Sequence, residues 1–289
     1  MSLHDLLSAK AVILTRKWIA GVHPKEALEL AKKMNERNEI ATINYLGEEL
    51  VDKNAIDKSV DAYLHLIKEI NGRGLRAEIS MKPTQLGLKL SESEFRNNYL
   101  TITNIARKKG VFVWLDAEMP STISATNSAY LHVLNNRGRK DIKTGVCIQA
   151  RLKSAYKNAE FIAKHGGIIR LVKGAYKTPA AMGYTTREAV DTNYIKIMRM
   201  LFSDGAKFMV ATHDINIINM ARKMESAKNT RVMFGMLNGI RSNVALRLSV
   251  DGEDVHIYIP FGEKWVDYSI RRLKEQGHAT LVLASIFRR

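Results

Sequence analysis

The chain has 289 residues, 46% of them hydrophobic, so it can bury a large core, and no stretch has the composition of a disordered segment. Lysine and arginine (45) outnumber aspartate and glutamate (29), and the resulting net charge of +16 is compatible with anionic ligands, nucleic acid or an anionic membrane surface. The single cysteine, Cys147, excludes an internal disulfide framework, and no apolar run reaches the ~20 residues of a membrane-spanning helix.

Two helices are predicted ahead of the first strand, and we interpret residues 1–39 as an N-terminal helical arm. The first helix covers residues 2–19, with Ser2 as its N-cap. The second begins at Pro24, because proline is favoured in the first turn of a helix, and extends to about Asn38. Charged residues interrupt every apolar run near the N-terminus, which predicts no secretory signal and therefore a cytoplasmic protein.

Eight strand-like runs follow, and helical patterns separate them. The runs cover residues 41–46, 76–82, 111–116, 144–149, 168–173, 207–212, 231–236 and 255–260. Eight such units within residues 40–289 favour an α/β fold, a closed (β/α)8 barrel of the TIM type, as the catalytic domain. An open doubly wound sheet is the alternative, but no Gly-x-Gly-x-x-Gly motif follows an early strand.

Several of the intervening helices carry start or stop signals. The helical patterns cover residues 54–70, 92–109, 187–203 and 263–276. Gly72 is predicted to end the first of these, and a capping box of Ser91 and Glu94 is predicted to begin the second, which stops at Gly110.

Polar side chains gather where the predicted strands end, and in an α/β barrel those ends form one rim. They include Glu48, Lys82, Asp116, Glu118, Gln149, Lys173, His213, Asp214 and Tyr258. Acidic and histidine residues are too scattered for a metal site, so none is predicted. Cations and aromatic rings are in excess, and such groups suit a carboxylate or phosphate together with a flat ring. The rim therefore predicts redox catalysis with an organic cofactor.

The run at residues 167–176 begins as a buried strand but contains Arg170 and Lys173. A cation inside a strand needs an anionic or polar partner, unless it only extends to solvent at the strand end. Gly174 and Ala175 lack bulk, which leaves room for a flat ligand against the backbone.

The last predicted helix carries Tyr268, Arg271 and Arg272 on one face, because they are three and four residues apart. Paired arginines on a helix are commonly solvated surface residues. If this helix covers the barrel mouth, however, the two guanidinium groups can hold one carboxylate.

These segments form a series that strongly resembles the proline dehydrogenase family over residues 40–276. The matching motifs are Leu46-Gly47-Glu48, Ser80-Met81-Lys82, Leu115-Asp116-Ala117-Glu118, Gln149-Ala150, Arg170-Leu171-Val172-Lys173-Gly174-Ala175-Tyr176, Ala211-Thr212-His213, Met236-Leu237, Tyr258-x-Pro-x-Gly and Tyr268-x-x-Arg271-Arg272-Leu273. The resemblance is to the monofunctional, FAD-dependent form. It implies a distorted (β/α)8 barrel whose last helix caps the mouth. It also implies oxidation of L-proline to 1-pyrroline-5-carboxylate by hydride transfer from C5 to flavin N5, with electrons passed to a quinone.

The resemblance also assigns residues to roles. Arg170, Lys82, Asp116 and Tyr258 are the implied catalytic residues, with Arg170 beside flavin N5. The implied substrate-binding residues are Lys82, Tyr176, Leu237, Tyr258, Tyr268, Arg271 and Arg272, and Glu48 is implied as a gate that pairs with Arg271 when the site is empty. The implied cofactor-binding residues are Gln149, Arg170, Val172, Lys173, Gly174, Ala175, Arg187, Thr212, His213 and Glu275.

Four departures from the family pattern, at Met233, Asn238, Asp214 and His278-Ala279-Thr280, keep FMN as an alternative to FAD. Two other functions are compatible with parts of the sequence. A barrel enzyme can instead use Lys173 or Lys82 as a Schiff-base lysine. The positive charge can also reflect nucleic-acid binding, but no recognition helix or aromatic-interleaved basic stripe is present, so no nucleic-acid partner is predicted.

We expect peripheral contact of the basic surface with the inner face of an anionic membrane. The sequence predicts no particular oligomeric state.

Overall fold

The computed structural model describes residues 18–136, 143–266 and 268, and within them eight parallel strands close into a barrel. The strands are β1 (Ile40–Tyr45), β2 (Ala77–Met81), β3 (Val113–Leu115), β4 (Thr144–Gln149), β5 (Ile169–Val172), β6 (Phe208–Ala211), β7 (Met233–Leu237) and β8 (Asp254–Phe261). Each strand pairs with the next along the chain, and β8 pairs with β1. The predicted (β/α)8 barrel is confirmed, whereas the open sheet is wrong.

Eight α-helices within the same described ranges surround the barrel. They are α1 (Pro24–Asn35), α2 (Lys53–Gly72), α3 (Glu92–Lys108), α4 (Ile123–Asn135), α5 (Ala155–Lys164), α6 (Arg187–Ser203), α7 (Ile215–Lys228) and α8 (Ser242–Val250). Their apolar faces share one core with the outward side chains of the strands. None of these helices is long and apolar enough to cross a membrane.

The register places the functional side chains inside the barrel. Side chains alternate between the two faces of a strand, so every second residue points inward. Asn44 lies opposite Ser80 on the neighbouring strand, Ser80 opposite Trp114, and Cys147 opposite Arg170. These inward residues come from strands that are remote in sequence, and the closed sheet brings them to a common interior.

The N-terminal part of the chain packs directly on the barrel. Helix α1 buries Ala27, Leu28, Ala31 and Met34 in the main core. Residues 2–17 of the first predicted helix lie outside the described residues. Helix α1 ends at Asn35 and not near Asn38, because Asn38 adopts a left-handed φ of 60° and the N–H of Glu39 donates to the carbonyl of Met34 (3.0 Å).

Two predicted helix signals differ from the structure. Gly72 still belongs to α2, and the left-handed residue that follows the helix is Gly74, with a φ of 62°. The hydroxyl of Ser91 caps α3 by accepting from the N–H of Glu94 (3.0 Å). The Glu94 carboxylate, however, accepts from Lys53 Nζ (2.6 Å), so the reciprocal half of the capping box is wrong.

Only the start of the last predicted helix lies within the described residues. Tyr268 is buried against Ile19 and Leu46, next to the end of β1. The remainder, including Arg271 and Arg272, lies outside the described residues, so the capping of the mouth stays a prediction.

Candidate active site

An ion pair between Arg170 and Asp116 lies inside the barrel. Arg170 is in the middle of β5, and Asp116 directly follows β3. Ser80 Oγ lies 2.9 Å from both partners, accepting from Arg170 Nη2 and donating to Asp116 Oδ1. Arg170 and Asp116 are 5% and 8% exposed. A buried pair is tolerated when further hydrogen bonds satisfy its atoms, and Ser80 supplies one to each partner.

Aromatic rings enclose the guanidinium of Arg170. Its Cζ lies 5.1 Å from the ring centroid of Trp114 and 5.6 Å from that of Tyr258. Burial alone would lower the pKa of Arg170, but the charge of Asp116 outweighs it and raises the pKa. Arg170 is therefore a permanent cation with a fixed position in the barrel.

A second buried cation, Lys82, follows β2. Its Nζ lies 3.7 Å from Asp116 Oδ2, 3.7 Å from Glu48 Oε1 and 3.3 Å from Asn44 Oδ1. Burial opposes its charge, but the carboxylates of Asp116 and Glu48 more than compensate and raise the pKa of Lys82. Lys82 is thus charged at neutral pH, and such an ammonium can bind a substrate carboxylate.

Tyr258 connects the two cations through Asp116. Its hydroxyl donates to Asp116 Oδ2 (3.0 Å) and accepts from Lys82 Nζ (3.5 Å). Burial raises the pKa of Tyr258, so the phenol stays protonated and remains a donor. Tyr258 lies within β8 and not at its end, and its ring packs against Arg170 inside the barrel.

A separate charged cluster lies beside this group. Lys173 Nζ is 2.5 Å from Asp191 Oδ1 on α6 and 2.9 Å from Asp214 Oδ2 at the start of α7. Arg187 contacts the same two carboxylates: its Nε lies 3.7 Å from Asp191 Oδ2, and its Nη2 lies 3.8 Å from Asp214 Oδ2. Burial would raise the pKa of Asp214, but the bond and charge of Lys173 and the backbone N–H groups of α7 lower it overall. Two cations are therefore balanced here by two carboxylates.

The backbone after β5 comes close to β4. Gly174 has a φ of 105°, and a Cβ at this position would lie 3.1 Å from both Gln149 Oε1 and Arg151 Cβ. The position is thus suited to glycine. Gln149 Nε2 donates to the carbonyl of Glu118 (2.7 Å), and His213 Nε2 accepts from the N–H of Leu237 (3.2 Å). These bonds fix the ends of neighbouring strands relative to one another.

Comparison with known proteins shows which family this chain belongs to. The family model described as proline dehydrogenase matches residues 27–283. Proline dehydrogenase 1 of Bacillus subtilis (strain 168) is 30% identical over 281 residues, which cover 95% of this chain and 91% of that relative. A proline dehydrogenase of Deinococcus radiodurans is 26% identical over 91% of this chain and 86% of its own length. The chain belongs to the proline dehydrogenase family.

Solved structures share the fold of this proline dehydrogenase family member. Proline utilization A of Bdellovibrio bacteriovorus, inactivated by N-propargylglycine, superposes with a TM-score of 0.85 at 20% identity and covers 93% of this chain. A D779Y mutant of Bradyrhizobium japonicum proline utilization A gives a TM-score of 0.77 at 19% identity and covers 95% of this chain. The chain spans about a third of the length of these proteins, 33% and 32%.

The structure brings many of the predicted site residues together. Lys82, Asp116, Arg170, Tyr258 and Glu48 form one connected group, and Lys173 with Arg187 forms the cluster beside it. The other predicted residues that the structure describes lie at the carboxyl end of the barrel: Gln149, Val172, Gly174, Ala175, Tyr176, Thr212, His213 and Leu237. Tyr268 packs by the end of β1. Arg271, Arg272 and Glu275 lie outside the described residues, so the roles proposed for them stay predictions.

Glu48 lies next to Lys82, with its Oε1 3.7 Å from Lys82 Nζ. The pairing of Glu48 with Arg271 that the sequence resemblance implies stays a prediction, because Arg271 lies outside the described residues. Among the residues that the structure describes, no group of three or more His, Cys, Asp or Glu side chains could hold a metal ion.

Sequence reasoning missed several residues of the site. Asn44 accepts a hydrogen bond from Lys82, and Ser80 accepts one from Arg170. Trp114 packs against Arg170, and Asp191 pairs with Lys173. The sequence does carry a signal for Ser80: it precedes Lys82 by two positions, and in extended backbone residues two apart point to the same side. Asp191, on a helix, carries no comparable signal.

Proposed function

We propose that this chain oxidises L-proline to 1-pyrroline-5-carboxylate with a bound flavin, FAD, and passes the electrons to a quinone. Membership of the proline dehydrogenase family supports the reaction. The observation that carries the proposal is the buried group of Arg170, Asp116, Lys82 and Tyr258 inside the barrel. It provides two fixed cations next to a neutral phenol at the end where barrel enzymes bind their substrates.

The residues fit a flavin. Gly174 lets the backbone after β5 pack closely on Gln149, because a Cβ there would lie 3.1 Å from Gln149 Oε1, and we propose that the Gln149 amide and this backbone together line the flat ring. Thr212 and His213 are proposed to face the adenine-nucleotide side of the cofactor, and Arg187 and Glu275 to contact its phosphates and adenosine end. When bound, the flavin supplies a hydride acceptor for C5 of proline, and loss of that hydride leaves a carbon–nitrogen double bond in the ring.

The substrate carboxylate is proposed to bind Lys82, with Arg271 and Arg272 as further partners. Lys82 is suited to this role because it keeps its charge in a buried position. Glu48 lies on the same ammonium, so the substrate carboxylate has to compete with it. This competition agrees with the proposed function of Glu48 as a gate.

Arg170 and Asp116 are proposed to serve the reaction rather than the substrate carboxylate. A fixed guanidinium stabilises negative charge that develops on a neighbouring electron acceptor, and Asp116 and Ser80 prevent it from moving away. Tyr258, a permanent donor to Asp116, packs its ring over the guanidinium. Tyr176, Leu237 and Tyr268 are proposed to enclose the pyrrolidine ring and keep it in place.

An absorption spectrum of the purified protein tests the proposal directly. We expect a flavin band that bleaches when L-proline is added without oxygen. A flavin band that proline leaves unchanged would require another substrate. A colourless protein that takes up neither FAD nor FMN would contradict the proposal and favour the Schiff-base lysine. Chromatography of the released cofactor distinguishes FAD from FMN.

The remaining parts of the proposal concern organisation and location. We propose that residues 1–39 form an arm to a catalytic barrel domain at residues 40–289. The excess of basic residues is proposed to support contact of a cytoplasmic protein with an anionic membrane, where quinones are found. Co-sedimentation should therefore be stronger with vesicles containing anionic lipid than with neutral vesicles, and equal co-sedimentation would contradict membrane contact.

A further inference from the structure

We propose that Glu118 is a positioning residue, which fixes Lys82 and the loop carrying Glu48 relative to each other and so sets the affinity for the substrate carboxylate. The inference rests on the proposed function, because it concerns the carboxylate site of the same enzyme. No role for Glu118 follows from the predicted site residues or from the group around Arg170.

Glu118 lies almost completely inside the protein. It follows β3 by three residues and is 1% exposed. Its carboxylate accepts two hydrogen bonds from one residue: Oε2 from the N–H of Thr84 (2.8 Å) and Oε1 from the Thr84 hydroxyl (2.7 Å). A buried carboxylate that receives two donors from a single residue holds that residue in one position and orientation.

Thr84 in turn holds two loops of the site. It is the second residue of the 3₁₀ turn Pro83–Leu86, which begins directly after Lys82. Its hydroxyl accepts from the N–H of Glu49 (2.9 Å), and its carbonyl accepts from the N–H of Leu50 (3.2 Å). The Glu118–Thr84 contact therefore fixes both the residue that follows Glu48 and the turn that follows Lys82.

The consequence is specific to carboxylate binding. Glu48 Oε1 lies 3.7 Å from Lys82 Nζ, so a shift of either loop changes how strongly this carboxylate competes for the ammonium. The link to Gln149 does not depend on the Glu118 side chain, since Gln149 Nε2 donates to the main-chain carbonyl of Glu118. A side-chain substitution at Glu118 should thus spare the proposed flavin side of the site.

The contact with Thr84 is strongest with the ionised form of Glu118. Both partners donate to the carboxylate, and protonation of Glu118 would replace these two charge-assisted hydrogen bonds by weaker neutral ones. Burial raises the pKa of Glu118 to about 7, despite the bonds from Thr84 and the nearby charge of Lys82. The other titratable groups that interact with Glu118 are Glu48 and Tyr176.

Binding of an unreactive ring carboxylate tests the inference. Tetrahydrofuran-2-carboxylate has an oxygen in place of the amine, so its charge is constant from pH 5.5 to about 8. Its Kd would be measured by calorimetry on the flavin-loaded protein. We expect Glu118→Gln and Thr84→Val each to raise the Kd about tenfold, and Thr84→Ser, which retains the hydroxyl, to change it less than about twofold.

A matched control separates positioning from general stability. Glu78 is also buried and also accepts from a threonine hydroxyl, that of Thr42 (2.6 Å), but it lies near the opposite end of β2. Glu78→Gln should lower the melting temperature and leave the Kd unchanged. The wild-type Kd should also rise as the pH falls below about 7, since Glu118 then becomes protonated, and in Glu118→Gln this pH dependence should disappear.

The outcomes distinguish the inference from the function on which it rests. An unchanged Kd in both Glu118→Gln and Thr84→Val, or an equal rise in Glu78→Gln, would overturn the positioning role. If Glu118→Gln does not fold, the comparison of Thr84→Val with Thr84→Ser decides the same question. Failure of proline to reduce the wild-type flavin would instead contradict the proposed function, whatever the variants bind.

Discussion

Asp116 and Arg170 pair inside the barrel although 54 residues separate them along the chain. Asp116 directly follows β3 and Arg170 lies in the middle of β5, so the pair spans the barrel interior across β4. Both side chains are shielded from water. Removal of one partner leaves the other charge buried and uncompensated, so a substitution at Asp116 should lower the free energy of unfolding.

Asp116→Asn should reduce the free energy of unfolding by about 3 kcal/mol, since it leaves the buried charge of Arg170 without its counter-ion. Urea denaturation followed by circular dichroism measures the effect. Asp57→Asn is the matched control, because Asp57 pairs with Lys53 on the surface (2.6 Å) and exposed pairs contribute less than about 1 kcal/mol. Equal losses in the two variants would mean that the buried pair has no special stabilising role.

Tyr258→Phe should lower kcat/KM for proline about tenfold while the fold stays intact. The substitution removes the donor to Asp116 and the oxygen that accepts from Lys82, but the ring can still pack against Arg170. Steady-state kinetics measure the change. Tyr156→Phe serves as the control and should retain wild-type kinetics, since Tyr156 lies on α5 and its ring contacts Lys196 of α6, outside the barrel. Unaltered kcat/KM in Tyr258→Phe would exclude a role for the hydroxyl.

Asp214→Asn should strengthen FAD binding about fivefold, because Lys173 then has only one carboxylate, Asp191, and is more available to a phosphate. Asparagine is as good an N-cap as aspartate, so α7 should be unaffected. Fluorescence titration of the apoprotein with FAD gives the Kd. Riboflavin, which lacks phosphate, should show no gain.

The control for this prediction is Asp52→Asn, which alters the N-cap of α2 and no cation of the site. A tighter Kd for riboflavin as well as FAD, or a similar gain in Asp52→Asn, would show that the charge next to Lys173 is not the cause.

The barrel could be predicted because its strands are separate apolar runs with helical patterns between them. The boundaries were less predictable where a local conformation ends an element. Asn38 is compatible with the helical pattern, yet its left-handed φ follows the end of α1. Glu94 has the type and spacing of a capping box, but Lys53, 41 residues earlier, offers its carboxylate a stronger, charged partner.

The charged residues of the site could be located from the strand ends and from the family resemblance, but their partners could not. The contact of Thr84 with Glu118 joins residues 34 positions apart, and it depends on how the turn after β2 lies against the loop after β3. Sequence spacing assigns both residues to one rim. It does not determine which residues on that rim touch, because register and loop conformation decide this.

His256 provides a prediction about stability and pH. It is buried inside the barrel, with Nδ1 2.9 Å from Glu78 Oε1 and Nε2 3.4 Å from Asp254 Oδ1. Burial opposes the charged imidazolium, but the two carboxylates dominate and raise the pKa of His256 from 6.5 to about 9. Because the folded state binds the proton more tightly, this stabilisation is complete below pH 6.5 and is lost as the pH rises through about 9.

The free energy of unfolding of the wild type should therefore fall by ~3 kcal/mol between pH 6.5 and pH 9.5, a range fixed by the unfolded and folded pKa of His256. Urea denaturation at a series of pH values measures this slope. In His256→Gln the slope should largely vanish, since the amide does not titrate. His165→Gln is the control, because His165 is on the surface next to Phe161 and should keep the wild-type slope. A slope that persists in His256→Gln would mean that another group binds the proton.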